Sequence, residues 1–456
     1  MKKLLTSILL AISMQAFSQE FTPYYKYRVY LTDKKQSEFS IRHPEAFLSQ
    51  KAIDRRNRQG IKIDETDLPV CATYLNQIRN QGVKVMHTSK WNNTVVVSCV
   101  DTTVMARIAQ LPFVSGTRRV AHYTKADRLP GPERKERVSQ GFGLTAGSTY
   151  GSLAFDQINQ LNGIALHGAG FRGQGMTIAV IDGGFYNADV IRGFEKTKIL
   201  GTKDFTNPAD EFYATESHGM MVLSCMGANI PNFMIGTAPE AGFWLIRSED
   251  GGSEQLIEED NWSAAIEFAD SVGVDVINTS LGYYDFDNKA DNLGHESLDG
   301  RTHICSNSAS MVASKGMILC CSAGNEGSGR WKKITAPADA FDVLTVGAVD
   351  PNGSRVAFSS QGNTADGRIK PDVMAIGMPS AVYSTNGTVT YSAGTSFASP
   401  ILCGMVACLW QALPNLNAYQ IMDLVRKSSN HADHPDELYG YGIPDFFKAY
   451  TKGLTY

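Results

Sequence analysis

After Tyr150, short apolar runs alternate with amphipathic helical stretches, and this alternation constrains the fold more than any other feature of the chain. The runs Met176–Ile181, Gly242–Ile246, Met317–Ser322 and Val343–Val349 are almost uniformly apolar, and Val274–Thr279 carries the apolar Val274, Val276 and Ile277. Such strands must be covered on both faces, which predicts an α/β fold with a mostly parallel sheet between layers of helix. The stretches Ser263–Val272 and Ser306–Lys315 each run to a glycine and read as crossover helices. In sheets of this kind the reacting groups gather beyond the carboxyl ends of the strands. Residues at those ends are therefore the functional candidates.

The chain is long enough for more than one core, 456 residues in all. Residues 19–124 read as a separate small α/β unit, with strands at Tyr27–Thr32, Val83–His87 and Thr94–Val100. Helical stretches run from Pro44 to Arg58, up to about Gly82, and from Val104 to Gln110. Between Arg118 and Arg137 periodicity is lost and Pro130-Gly131-Pro132 interrupts a basic run formed by Arg118, Arg119, Lys125, Arg128, Arg134, Lys135 and Arg137. This predicts an exposed linker, assigned to 125–150, before the main domain at 151–452.

Met1-Lys2-Lys3, the apolar run Leu4–Ile12 and the small residues Ala16 and Ser18 make residues 1–18 a signal peptide. Export to the periplasm or medium is the expectation. The apolar run is too short to span a bilayer and no later run is a candidate, so no membrane span is expected. A net charge of −4 gives no footprint for nucleic acid as a partner. The eight cysteines are irregularly spaced and mostly sit in apolar runs, which predicts few disulfides, with a Cys71–Cys99 bridge left open.

Four short segments carry candidate chemistry. Asp182 ends the strand Thr177–Ile181; His218 opens a helical pattern in Ser217-His218-Gly219; Asn325 follows the strand ending near Cys321 in Ser322-Ala323-Gly324-Asn325. Ser396 stands in Gly394-Thr395-Ser396-Phe397-Ala398-Ser399-Pro400, before a long helix. Singly, each has a plain structural reading: a turn carboxylate, a packed histidine, a glycine turn and a helix cap. Together they supply an orienting acid, a base, an amide donor and a hydroxyl nucleophile.

In these residues, above all in Gly-Thr-Ser-x-Ala-x-Pro, the sequence resembles the subtilisin-like serine peptidases over roughly residues 150–450. The resemblance implies a three-layer domain with Asp182, His218 and Ser396 as catalytic residues, and with Asn325 and the Ser396 N–H holding the oxyanion. It also implies that Ser280, Leu281 and Gly282 bind peptide or protein substrate as an edge strand, with Ala323 and Gly324 lining the site. Residues 19–124 stand where the family carries a prodomain that inhibits its own enzyme. Met220, Phe397 and Gly183 depart from the residues usual at their positions.

The resemblance implies no cofactor for catalysis. A structural calcium is a further possibility at the acidic loop Asp285, Asp287, Asn288 and Asp291. Three other readings stay open on sequence: a silent peptide-binding module, another acyl-transfer enzyme such as an esterase or ligase, and a metal hydrolase built on His431, Asp433 and His434.

Overall fold

The computed structural model describes residues 22–124, 149–150 and 154–456. The signal peptide and all but the last two residues of the expected linker lie outside the described residues. In the main domain seven strands form one sheet, in the spatial order Val373–Ile376, Leu344–Val349, Ile318–Ser322, Val276–Thr279, Thr177–Asp182, Gly242–Arg247 and Lys198–Asp204. Every neighbouring pair is parallel. The five strands read from sequence are all present, because their burial on both faces leaves a continuous apolar signature.

Two sheet strands were not expected. Lys198–Asp204 is the outermost strand, and its alternation of exposed and half-buried residues contains no apolar run. Val373–Ile376 is buried but only four residues long, directly after Pro371-Asp372. The hairpin Ser380–Tyr383 with Val389–Ser392 was likewise unread.

Alternation along the strands divides the core. Ile178 and Val180 pack beneath the helices His218–Gly227 and Thr395–Ala412, while Ala179 and Ile181 face the helices Ile257–Val272 and Ile304–Met311. Thr395–Ala412 is also the one helix among the described residues long and apolar enough to cross a membrane. Its apolar surface is spent on the core of the domain.

The N-terminal unit is a four-stranded antiparallel sheet in the order Lys84–Ser89, Thr94–Cys99, Tyr24–Leu31, Val114–Tyr123. Its fourth strand was not expected: the sequence shows no periodicity from Arg118 onward, although the unit was carried to residue 124. Val114–Tyr123 is an edge strand with two register shifts against its neighbour, so charge and irregular alternation hid it. The helix expected from Pro44 begins at Gln50, where Ser49 accepts from the Ala52 N–H; Pro44–Ala46 forms only a short 3-10 turn.

This unit packs on the outer side of helix Ile257–Val272 through buried charges. Arg28 grips Asp260 with two bonds of 2.6 and 2.7 Å. Asp270 receives Arg55 at 2.5 Å, Arg56 at 2.9 Å and Lys90 at 2.8 Å, and none of the four is more than slightly exposed. Glu267 accepts from Ser89 and from the Lys90 and Trp91 N–H groups. All eight cysteines are buried free thiols, and Cys71 donates to the Gln36 carbonyl rather than bridging to Cys99.

Candidate active site

Asp182, Ser280 and Asn325 leave the carboxyl ends of three adjacent strands, Thr177–Asp182, Val276–Thr279 and Ile318–Ser322. The two remaining candidates enter at helix N-termini: His218 opens His218–Gly227 and Ser396 is the second residue of Thr395–Ala412. Five residues far apart in sequence thus meet at one edge of the sheet.

The wholly buried Asp182 accepts from His218 Nδ1 at 2.8 Å and from the Gly183 N–H at 2.8 Å, both on Oδ1. Gly219 permits this approach, since a Cβ there would fall 2.6 Å from the Gly184 carbonyl and 2.8 Å from the Asp182 Cβ. Burial disfavours a charged His218 ring, as does its place at a helix N-terminus. The charge and hydrogen bond of Asp182, helped by Glu249 and Glu216, outweigh burial and lift the ring to about 9. Phe397, where the resemblance has Met, lays its ring 5.9 Å from the imidazole, and Met220 is fully buried in the core beneath.

Pro400 occupies the sixth position of the serine helix, one turn deeper than a first-turn proline. Its missing N–H leaves the Ser396 carbonyl without the usual helical donor. Ser280 Oγ fills that vacancy at 2.8 Å, and the Ser396 hydroxyl in turn rests on the Ser280 carbonyl at 3.4 Å. Ser399 bonds Asn278 Oδ1 at 2.8 Å, and Asn278 Nδ2 bonds Ser280 Oγ at 3.1 Å. The proline, three serines and an asparagine therefore lock the serine helix to the end of the neighbouring strand. No direct bond joins Ser396 to His218 here; such bonds are commonly long until substrate fills the site.

Asn325 is oriented by Thr395. The Thr395 N–H and hydroxyl both donate to Asn325 Oδ1, at 2.9 and 3.0 Å. A backbone N–H can only donate, so the amide oxygen must face it and the NH2 group must point away from Thr395. Sequence reading had missed this role of Thr395, together with Glu216 and Glu249. Glu216 stands only two residues before His218, a signal available in the sequence; nothing there reveals that Glu249 folds back beside it.

Ser280, Leu281 and Gly282 continue beyond the strand end and line a cleft of about 240 Å³ with Asp182, Gly183, Glu216, His218 and Glu249. Ala323 and Gly324 lie on the Asn325 side, where the Ala323 N–H donates to the Val346 carbonyl and the Ser360 N–H to that of Gly324. The acidic loop does not fit a calcium ion. Asp285 is held by Lys289 at 2.7 Å, Asp287 caps the Glu254 N–H and Asp291 pairs with Arg118 at 3.0 Å. His431, Asp433 and His434 are not gathered either: among the described residues no group of three or more His, Cys, Asp or Glu could hold a metal.

The family model described as Subtilase family matches residues 173–442, and that described as Peptidase S8 propeptide domain, Bacteroidota, matches residues 26–136. Serine protease AprX of Bacillus subtilis (strain 168) is 28% identical over 309 residues, spanning 61% of this chain and 67% of that protein. Subtilisin DY of Bacillus licheniformis is 30% identical over 282 residues, 60% of this chain and 89% of its own length. Subtilisin E of Bacillus subtilis (strain 168) is 30% identical over 296 residues, 63% and 68% of the two chains.

Proposed function

The chain belongs to the subtilase family of serine endopeptidases, and on that footing we propose that it is exported and cleaves peptide bonds through an acyl-enzyme on Ser396. The observation that carries the mechanism is the 2.8 Å bond from His218 Nδ1 to a buried Asp182 beside the first turn of the Ser396 helix. Fixing Nδ1 as a donor leaves Nε2 to take the Ser396 proton as the hydroxyl attacks the scissile carbonyl. The same proton then passes from Nε2 to the leaving amine, and water repeats the sequence to release the acyl group. Asp182 orients the ring and stabilises its cationic form. Export rests on the signal peptide read at residues 1–18.

Asn325 and the Ser396 N–H are the oxyanion donors on this reading. Asn325→Ala is expected to lower kcat about 10²- to 10³-fold with little change in KM, because the amide meets the charge that develops in the transition state. A kcat within twofold of wild type would remove Asn325 from the mechanism.

The base must be neutral to act. With the His218 ring held up at about 9, kcat/KM should climb about tenfold per pH unit through the neutral range and level off only above about pH 9. Initial rates on one peptide from pH 6 to 10 check this. A profile already flat at pH 7 would contradict it.

Residues 19–124 act as the intramolecular inhibitor on this reading, so full activity follows their removal together with the linker to about residue 140. The propeptide match at residues 26–136 supports that role. Peptide enters as an added strand along Ser280–Gly282, where main-chain bonds bind without regard to sequence.

A further inference from the structure

Three carboxylates wall the cleft between His218 and Ser280–Gly282: Asp182, Glu216 and Glu249. Asp182 is committed to His218 through Oδ1, yet its wholly buried Oδ2 has no hydrogen-bond partner among the described residues. Glu216 reaches across the cleft wall, and its carboxylate lies over the backbone of Gly251 so closely that a Cβ there would meet Oε1 at 1.5 Å. Glu249 flanks Gly183 from the neighbouring strand end. Burial pushes its carboxyl up to about 8, with Tyr283 opposing and the charges of Glu254 and Asp182 adding to the rise. Among the described residues no lysine or arginine pairs with Glu216 or Glu249. Arg247, on the strand leading to Glu249, is committed to Asp204 and Asp210 at 3.1 and 2.7 Å.

The acids lie on the path of the substrate. An extended peptide along Ser280–Gly282 sends successive side chains to opposite sides. Ala323 and Gly324 lie on the Asn325 side of that strand and Glu216 and Glu249 on the His218 side, so a peptide whose reacting carbonyl sits at Ser396 would send the side chain of that residue to the first and the side chain before it to the second. We propose that Glu216 and Glu249 form a subsite for lysine or arginine at this penultimate acyl-side position. The inference rests on the reading of Ser396 and His218 given above. Beside the His218 ring that they help to charge, a cationic side chain gives the two glutamates the lysine or arginine partner they lack among the described residues, through charge-assisted hydrogen bonds in a partly dry cleft.

The test uses the mature enzyme at low salt and pH 9, above the value to which burial lifts the Glu249 carboxyl, on quenched peptides that differ only in the penultimate residue: Arg, Lys, Ala or Glu. The expected kcat/KM for Arg or Lys over Ala is about tenfold or more, with Glu slowest. The ratio should shrink toward one in 1 M salt. It should also collapse in the double variant E216Q/E249Q and in Gly251→Ala, which keeps both charges but drives the Glu216 carboxylate from its seat. Equal rates for Arg and Ala in the wild type, or a ratio unchanged in both variants, would overturn the subsite while leaving the peptidase reading intact. Failure to cleave any of the four peptides would instead sink that reading, and the subsite with it.

Discussion

Replacing Ser396 by alanine is expected to lower kcat/KM about 10⁶-fold and to leave the precursor at its full length. The loss is that large because Asp182 and His218 act only through this hydroxyl: without it the base has no proton to take, and only the oxyanion donors and substrate binding remain. Folding should be untouched. The hydroxyl makes a single long bond of 3.4 Å to the Ser280 carbonyl, while the lock on the helix runs through Ser280 Oγ to the Ser396 carbonyl, which alanine keeps. Peptide turnover, electrophoresis of the purified chain and its far-ultraviolet circular dichroism check the three parts of this expectation. Residual turnover above about a hundredth of wild type in a folded variant would assign the nucleophile elsewhere.

The second large effect lies about the prodomain rather than the site. In the Ser396→Ala background, which keeps the precursor intact, Asp270→Ala should destabilise the union of the two units by about 3–5 kcal/mol. Asp270 is buried among Arg55, Arg56 and Lys90, all from the N-terminal unit, and those charges hold its carboxyl well below the usual range against the opposing effect of burial. Removing the anion leaves three cations in a water-poor interface with Asp67 as the remaining partner of Arg56. Coulomb attraction alone would make a poor stability argument for a buried pair, but the cost of an unpaired buried charge is one-sided. Calorimetry of the two precursors should show the variant melting several degrees lower, with the N-terminal unit released first. Identical melting curves would mean that the helix Ile257–Val272 is held by its apolar contacts and that the charges are incidental.

The fold was legible where buried strands carried a long apolar run; Val373–Ile376 and Ser380–Tyr383, buried but four residues long, were not read. Thr177–Asp182 and its neighbours show uninterrupted apolar runs because helices cover both faces, whereas the edge strands Lys198–Asp204 and Val114–Tyr123 face solvent and carry charge. Periodicity cannot mark such strands; only pairing partners distant in the chain do. At the site, Asp182, His218, Asn325 and Ser396 stood out because each sits in a short, chemically odd segment. Their supports did not. Thr395 looked like a small residue beside a serine, yet it sets the direction of the Asn325 amide. Pro400 shows in the sequence only as the end of the serine motif, yet it frees the carbonyl that Ser280 clamps. Glu249 shows its position beside His218 only after the strand Gly242–Arg247 is laid against Thr177–Asp182. These roles depend on which atoms become unpaired when elements meet, and no local pattern encodes that.

The identity of the nucleophile is tested most directly by labelling. The mature enzyme should be treated with a fluorophosphonate that transfers its phosphonyl group to an activated hydroxyl, then digested and mapped by mass spectrometry. One adduct is expected, on Ser396, forming faster as pH rises toward 9 in step with loss of the His218 proton. An adduct on any other residue, or hydrolysis that continues with Ser396 unlabelled, would contradict the assignment.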